Sequence, residues 1–109
     1  MIEITDEQMV RIRDLCDTYG VVKLELFGSA ATDAFDPARS DLDMIGTFGD
    51  PEERGYARRY LRFAEALEAL FGRRVDLMTD WPIRNPFLRR SVDQTRRTLH
   101  ERPRRQTAA

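Results

Sequence analysis

Two short segments decide the fold of this chain, Leu26-Phe27-Gly28-Ser29 and Ser40-Asp41-Leu42-Asp43. The first segment ends an alternating stretch, Val21 to Phe27, which predicts a half-buried strand. Gly28 permits a positive φ or a close approach of the backbone, and Ser29 adds a hydroxyl and an amide where a short helix can begin. These two residues predict an anion-binding turn, and the alternative is a simple turn after a strand.

Asp41 and Asp43 begin a second predicted strand, which runs from Asp41 to Phe48. Alternation along a strand puts both carboxylates on one face, with their Cα atoms about 6 to 7 Å apart. Two like charges at this spacing repel, and aspartate is a poor strand former. Carboxylates so placed can hold Mg²⁺, which takes its other ligands from water and substrate phosphates. The alternative is that both side chains face water at a sheet edge, with Ser40-Asp41 in the preceding turn.

Asp76 supplies a third carboxylate on a third predicted strand, Arg73 to Met78. Its alternation phase separates it from the apolar Val75 and Leu77, so it points to the other face. In a neighbouring strand it can reach a second metal or an attacking hydroxyl, and the alternative is a solvent-facing strand residue. An aspartate pair beside a phosphate-binding turn is the minimum equipment for metal-assisted phosphoryl or nucleotidyl transfer.

Three helices are predicted around these strands from capping residues and helical periodicity. The first helix has a capping box at Thr5 and Gln8 and ends at Gly20. The second has Asp50 as its N-cap, followed by Pro51, and ends at Gly72. The third begins at Asn85-Pro86 and continues through Leu99. The order helix, strand, strand, helix, strand, helix predicts an α/β fold with a small mixed sheet flanked by helices. Residues 1–99 form the predicted domain, and residues 100–109 form a disordered tail.

Length and composition exclude several classes of protein. A chain of 109 residues is long enough for one domain. It contains neither a transmembrane span nor a signal peptide, which predicts a cytoplasmic protein without membrane contact. One cysteine, Cys16, and one histidine, His100, cannot assemble a Cys/His zinc site. A metal would therefore need carboxylates.

Charge is distributed unevenly along the chain. Residues 1–50 carry 4 basic and 11 acidic side chains, a net charge of −7, whereas residues 81–109 carry 8 arginines against 2 acids, a net charge of +6. The basic end raises the hypothesis of a nucleic-acid binder. Against it, the acidic first half would repel phosphate backbones, and aromatic and basic residues are not interleaved. Nucleic acid is therefore not the expected partner.

At these residues the sequence resembles the polymerase-β-like nucleotidyltransferase superfamily. The mark of that superfamily is a glycine-serine turn, a gap of about ten residues, Asp-x-Asp and a third carboxylate on a later strand. Here these features are Gly28-Ser29, Asp41-Leu42-Asp43 and Asp76. The chain is most similar to the minimal single-domain nucleotidyltransferases of prokaryotes, with the similarity covering about residues 20–99. Many of these are encoded beside a helical HEPN-domain toxin, as its antitoxin.

The resemblance implies an enzyme that uses ATP or another nucleoside triphosphate with two Mg²⁺ ions. Gly28 and Ser29 would hold the outgoing phosphates. Asp41 and Asp43 would ligate both metals, and Asp76 would ligate one metal and help to deprotonate the acceptor. Many relatives have an Ala-Arg pair soon after the serine, and this chain has Ala31-Thr32 there. We therefore expect Arg39, just before Ser40, to bind the nucleotide in place of that arginine.

The resemblance also implies a HEPN-type helical protein partner. Larger superfamily members use extra domains to hold the base and the acceptor, and in a minimal member we expect a partner to supply that part of the site. Adenylylation of that partner by an antitoxin is the first hypothesis. A catalytically weak binding module of the same fold, which covers its partner sterically, is the alternative, and a homo-oligomer is a further possibility. The interface would use the arginines of the last helix with Trp81, Phe87 and Leu88, or these three residues would simply close the core.

Overall fold

The computed structural model describes residues 2–32, 35–36, 41–50, 53–79 and 85–102. Its elements, in chain order, are α1 (Asp6–Tyr19), β1 (Val21–Phe27), a short 3-10 helix (Gly28–Ala31), β2 (Leu42–Phe48), α2 (Tyr56–Phe71), β3 (Val75–Thr79), α3 (Pro86–Thr95) and β4 (Arg97–Glu101). The three strands predicted from the sequence are therefore present, with ends that differ by one or two residues.

The strands form one mixed sheet with the order β3-β2-β1-β4. β1 pairs antiparallel with both β2 and β4, whereas β2 and β3 are parallel. Parallel neighbours need a crossover connection, which α2 provides. The predicted α/β fold with a small mixed sheet is confirmed.

Helices cover both faces of this sheet. The larger core lies under α1 and α2, and its fully buried side chains are those of Ile12, Cys16, Leu24, Leu26, Ala30, Leu42, Met44, Phe63 and Leu67. A smaller cluster on the opposite face joins Phe27 and Ile45 to Val92 of α3. Among the described residues, none of the helices has the length and apolar character that crossing a bilayer requires.

The capping box of α1 forms as predicted. Thr5 Oγ1 accepts from the Gln8 backbone N–H at 3.1 Å, and the Thr5 backbone N–H donates to Gln8 Oε1 at 3.0 Å. At the other end Gly20 adopts the left-handed conformation, with φ 73°, and ends the helix. The short loop then sends the chain directly into β1.

The start of α2 was predicted wrongly. Asp50 has φ 53°, which is unlike the extended conformation of an N-cap, and the helix begins at Tyr56 after Gly55. The guanidinium of Arg59 donates to the carbonyls of Gly49 at 3.1 Å and Asp50 at 2.9 Å. These bonds hold the chain in a turn beside β2, so the helix starts later. Pro51 lies outside the described residues.

α3 begins as predicted and ends earlier than predicted. The Asn85 side chain accepts from the backbone N–H of Phe87 at 2.9 Å, and Pro86 occupies the first turn. The helix stops at Thr95, and Leu99, expected in it, is a buried residue of β4. The physical reason is that β4 pairs with β1, satisfying backbone groups that a longer helix would leave unpaired at that edge.

The tail predicted from residue 100 onward also needs correction. His100 and Glu101 belong to β4, and the Arg102 N–H donates to the Val22 carbonyl at 2.7 Å. Residues 103–109 lie outside the described residues, and for them the tail stays a prediction. The ordered part of the chain therefore extends beyond residue 99.

Glu25 is buried, although alternation had placed it on the solvent side of a half-buried strand. Its side chain is 2% exposed, because α3 covers that face of β1. Arg96 binds it with both arms, Nε to Oε2 at 2.6 Å and Nη2 to Oε1 at 2.7 Å. A buried carboxylate needs such a partner, since its desolvation is otherwise uncompensated. This ion pair joins β1 to the point where α3 ends and β4 begins.

Replacing Arg96 with methionine should lower the free energy of unfolding by about 3 kcal/mol, because the buried Glu25 carboxylate would lose both of these hydrogen bonds and keep only Lys23 Nζ, at 3.9 Å, as a cationic neighbour. Urea denaturation of the two proteins measures the loss. Arg89→Met removes a pair with Asp93 in which both side chains are nearly half exposed, so it should cost less than about 1 kcal/mol. Equal small losses in both variants would show that the buried pair contributes nothing special.

Candidate active site

Most of the predicted site residues lie at one end of the sheet, where β1 ends and β2 and β3 begin. Phe27, the last residue of β1, pairs with Asp43 of β2, and Asp43 pairs with Asp76 of β3. Neighbouring strands lie about 4.8 Å apart, so Asp43 and Asp76 stand side by side on the face that carries Phe27. Asp41, just before β2, is exposed and shares the alternation phase of Asp43. The structure thus brings Asp41, Asp43 and Asp76 close to the Gly28–Ser29 turn, which directly follows Phe27.

Like charges dominate the electrostatics at this end of the sheet. The pKa of the Asp43 carboxyl is raised above its ordinary value, mainly by burial and further by the charges of Asp76 and Asp41. Within the described residues, no basic side chain forms an ion pair with any of these three carboxylates. The site is therefore suited to a cation.

Gly28 lies against the Asp43 carboxylate. Its φ is 70°, in the left-handed region that glycine adopts readily, and a Cβ there would lie 2.8 Å from Asp43 Oδ2. Both the backbone conformation and the close approach therefore require glycine at this position. The expectation that Gly28 allows positive φ or close approach is confirmed in both respects.

The turn after Gly28 is a 3-10 helix of four residues, Gly28–Ala31. The first N–H groups of a helix have no partner inside it. The N–H of Gly28 donates to Thr95 Oγ1 at 2.8 Å, whereas the Ser29 carbonyl accepts from the Thr32 N–H at 3.0 Å. Because the i→i+3 pattern of the helix directs the Ala30 N–H to the Phe27 carbonyl, the Ser29 N–H is the donor that the described part of the turn can offer to an anion.

Thr95 was not identified as a site residue from the sequence. Its spacing from Leu88 and Val92 predicts only that it shares their face of the last helix. Its hydroxyl meets an amide 67 residues away in the chain. No local pattern signals such a contact, because the pairing exists only once α3 is docked on the sheet.

The donor set fits Mg²⁺ bound together with a nucleotide. Among the residues that the structure describes, no group of three or more His, Cys, Asp or Glu side chains converges to hold a metal ion alone. Mg²⁺ does not need such a group, because it is held by one or two carboxylates plus substrate phosphates and waters. Asp41 and Asp43 supply hard oxygen ligands beside a turn with amides for phosphate.

The remaining candidate residues fall into two groups. Arg39, Ser40 and Trp81 lie outside the described residues. Leu88 is half-buried against the cluster of Phe27, Ile45 and Val92, whereas Phe87 is 82% exposed. Of the two readings for these apolar residues, core closure therefore fits Leu88, and an exposed contact surface fits Phe87.

The chain matches a family model and curated proteins over most of its length. The family model described as nucleotidyltransferase domain matches residues 11–101. A protein of Methanocaldococcus jannaschii named putative protein adenylyltransferase is 34% identical over 80 residues, which cover 73% of this chain and 78% of that protein.

Solved structures show the same fold. One described as a putative minimal nucleotidyltransferase has a TM-score of 0.65 and 28% identity, and covers 84% of this chain and 88% of its own. Another is the complex of a tri-AMPylated Shewanella oneidensis HEPN toxin with its MNT antitoxin, with a TM-score of 0.53 and 18% identity. The alignment with it covers 85% of this chain and 69% of that one.

Gly28→Ala should destabilise the protein more than Gly72→Ala does. Both glycines have positive φ, 70° and 63°, but a Cβ at Gly72 has open space, whereas one at Gly28 meets the Asp43 carboxylate. The strain of φ alone costs about 1 kcal/mol, so Gly72→Ala measures that term and the excess in Gly28→Ala measures the contact. Urea denaturation gives both values. Equal losses would mean that the close approach to Asp43 is not a constraint.

Asp43→Asn should raise the melting temperature at pH 7. Folding raises the pKa of Asp43, so ionised Asp43 destabilises the folded state as the pH rises through that pKa, and this penalty vanishes below the ordinary value of 3.8. The gain should therefore disappear in acid. Asp14→Asn, whose carboxylate contacts Arg13 at 3.4 Å, should give no gain. A lower melting temperature for Asp43→Asn at pH 7 would mean that the carboxylate stabilises the fold.

Proposed function

Because the chain belongs to the nucleotidyltransferase domain family, we propose that it transfers AMP from ATP, with Mg²⁺, to a hydroxyl of a protein partner. The observation that carries this proposal is the pairing of Asp43 with Asp76, with Asp41 two residues before Asp43, beside the glycine-serine turn at one end of the sheet. The relative named putative protein adenylyltransferase supports AMP as the transferred group. The AMPylated toxin in the solved complex supports a protein as the acceptor.

The turn at Gly28 and Ser29 binds the phosphates that leave with the reaction. The N–H and the hydroxyl of Ser29 supply hydrogen-bond donors in the first turn of a helix, where anions are favoured. Gly28 keeps side-chain atoms out of the space beside Asp43, so that the phosphates can approach the carboxylates. Arg39 adds a charge-assisted contact to the triphosphate.

Asp41 and Asp43 hold Mg²⁺, and Asp76 completes the binding of the second ion. When bound, Mg²⁺ neutralises phosphate charge and orients the reacting groups. The residues of this chain supply the positions for it, since their carboxylates repel one another and have no cationic partner among the described residues. Burial raises the pKa of Asp43 most, and bound ions would offset the charges of Asp76 and Asp41, which raise it further.

The transfer itself needs an acceptor hydroxyl in line with the leaving group. The acceptor oxygen forms a bond to the α-phosphorus, the bond from that phosphorus to the bridging oxygen breaks, and pyrophosphate leaves. Asp76 takes the acceptor proton. Its side chain is exposed on β3, an edge strand of the sheet, so a side chain of another protein can reach it.

The partner proposed here is a helical HEPN-type toxin, with this chain as its antitoxin. We define the α3 surface as the exposed residues Phe87, Arg89 and Arg90, which lie on the helix that covers the catalytic face of the sheet. Exposed aromatic and arginine side chains are typical of binding hot spots. A partner docked there would lie on the same side of the sheet as Asp76.

Asp76→Asn should keep Mg²⁺-dependent ATP binding and lose nearly all transfer, because proton abstraction and positioning of the acceptor act mainly in the transition state. Calorimetry with and without a chelator measures binding. Incubation with ATP, Mg²⁺ and the protein encoded by the adjacent gene, followed by mass measurement of both chains, measures transfer. We expect wild type to add AMP to the partner.

Neutralisation of a toxic partner in cells separates an enzyme from an inert cover. If Asp76→Asn neutralises the partner as well as wild type, and the partner carries no AMP, the catalytic proposal is wrong and steric cover explains the protection. Loss of neutralisation in Arg89→Glu/Arg90→Glu, with AMP transfer to the partner also lost, would place the docking contact on the α3 surface.

The calorimetry tests the metal assignment separately. Equal ATP affinity with and without Mg²⁺ would contradict the metal assignment.

A further inference from the structure

We propose that Thr95 is a positioning residue, whose hydroxyl holds the Gly28–Ser29 turn in the conformation that receives the nucleotide phosphates. This inference rests on the proposed function. The Gly28 N–H donates to Thr95 Oγ1 at 2.8 Å, and the two groups are part-buried. An amide in such a place needs an acceptor, since water does not replace a lost partner without cost.

The turn is held at its far end, where the Ser29 carbonyl accepts from the N–H and the hydroxyl of Thr32 at 3.0 and 3.1 Å, but its first residue lacks such support. Gly28 has no side chain and a φ of 70°, so its backbone is intrinsically free to adopt other conformations. The 3-10 helix that follows has four residues, and such short helices have poor hydrogen-bond geometry. The bond to Thr95 fixes the orientation of the peptide group that enters the turn. The amide of Ser29, which follows directly, is thereby held in place.

Thr95 is itself held rigidly. The next residue, Arg96, binds the buried Glu25 carboxylate with two bonds of 2.6 and 2.7 Å, and its N–H donates to the Val92 carbonyl at 2.8 Å. Val92 is fully buried in the cluster under α3. Glu25 lies in β1, three residues before Gly28. The junction of α3 and β4 therefore binds this part of the chain twice, through Arg96 at Glu25 and through Thr95 at Gly28. The Thr95 hydroxyl is therefore a fixed reference for the turn.

Loss of this hydroxyl should affect nucleotide binding more than chemistry. Without its acceptor, the turn would adopt the binding conformation only part of the time, and apparent affinity falls by that fraction. The strand positions of Asp43 and Asp76 do not depend on the bond, because sheet pairing sets them. A rise in KM with kcat nearly unchanged is the signature of lost binding that is common to ground and transition states.

The test compares Thr95→Val, which removes the acceptor at nearly constant shape, with Thr95→Ser, which keeps it. We expect Thr95→Val to raise the KM for ATP and the Kd of Mg-ATP by about tenfold, with kcat changed by less than about threefold. Thr95→Ser should remain within about twofold of wild type. Thr98→Val is the matched control, because Thr98 is exposed on β4, and it should leave all three constants unchanged.

Unchanged KM and Kd in Thr95→Val, with transfer intact, would overturn the positioning role and leave the proposed function standing. A wild type that binds Mg-ATP but transfers nothing would overturn the proposed function, and the Kd values would still decide the role of Thr95 in binding. Absence of Mg-ATP binding in wild type would overturn both.

A second pair of variants covers the case in which Thr95→Val does not fold. Thr95→Ala and Thr95→Ser then repeat the comparison, and a Kd for Mg-ATP that is equal in the two would contradict the proposal. Hydrogen exchange at the Gly28 amide supplies a readout that does not depend on activity. Exchange of the Gly28 amide should accelerate in the alanine variant by more than the loss of global stability accounts for, and unchanged protection of Gly28 would also contradict the proposal.

Discussion

Parallel pairing of β2 with β3 places the Asp43 carboxylate beside that of Asp76, and the rest of the structure must compensate for this repulsion. Two unit charges about 4 Å apart repel by roughly 1 kcal/mol in water and more where burial lowers the dielectric. The opposite face supplies the compensation. Leu42 and Met44 are fully buried beneath α1 and α2, and each such side chain contributes about 1.5 to 3 kcal/mol. One face of β2 thus stabilises the strand, while the other concentrates negative charge.

Rigid elements surround Gly28, whose backbone lies against the Asp43 carboxylate. Gly28 approaches Asp43 so closely that a Cβ does not fit, and its left-handed φ is available to glycine at little cost. Its N–H is bonded to Thr95, and the adjacent Arg96 is fixed to buried Glu25. The conformational freedom that glycine brings is therefore limited from outside the turn, which is how a flexible residue can form a preorganised site.

Much of the site was predictable, because its signals are local. Strand alternation places Asp41 and Asp43 on one face from their spacing alone, and a glycine-serine pair after a strand indicates a turn. Capping chemistry predicted both ends of α1 and the start of α3, since caps involve residues a few positions apart. The start of α2 was not predictable in this way, because the carbonyls of Gly49 and Asp50 are held by Arg59 from the helix that follows.

The sequence by itself determined β1, β2 and β3, which of their residues share a face, and the residue types of the site, since these follow from a period of two and from side-chain chemistry. Only the tertiary structure decided that Leu99 belongs to a strand, that Glu25 is buried and that Thr95 reaches Gly28. Helical and strand spacings are both compatible with the residues after Thr95. The open edge of β1 decided between them, because its backbone groups needed partners that only β4 supplies.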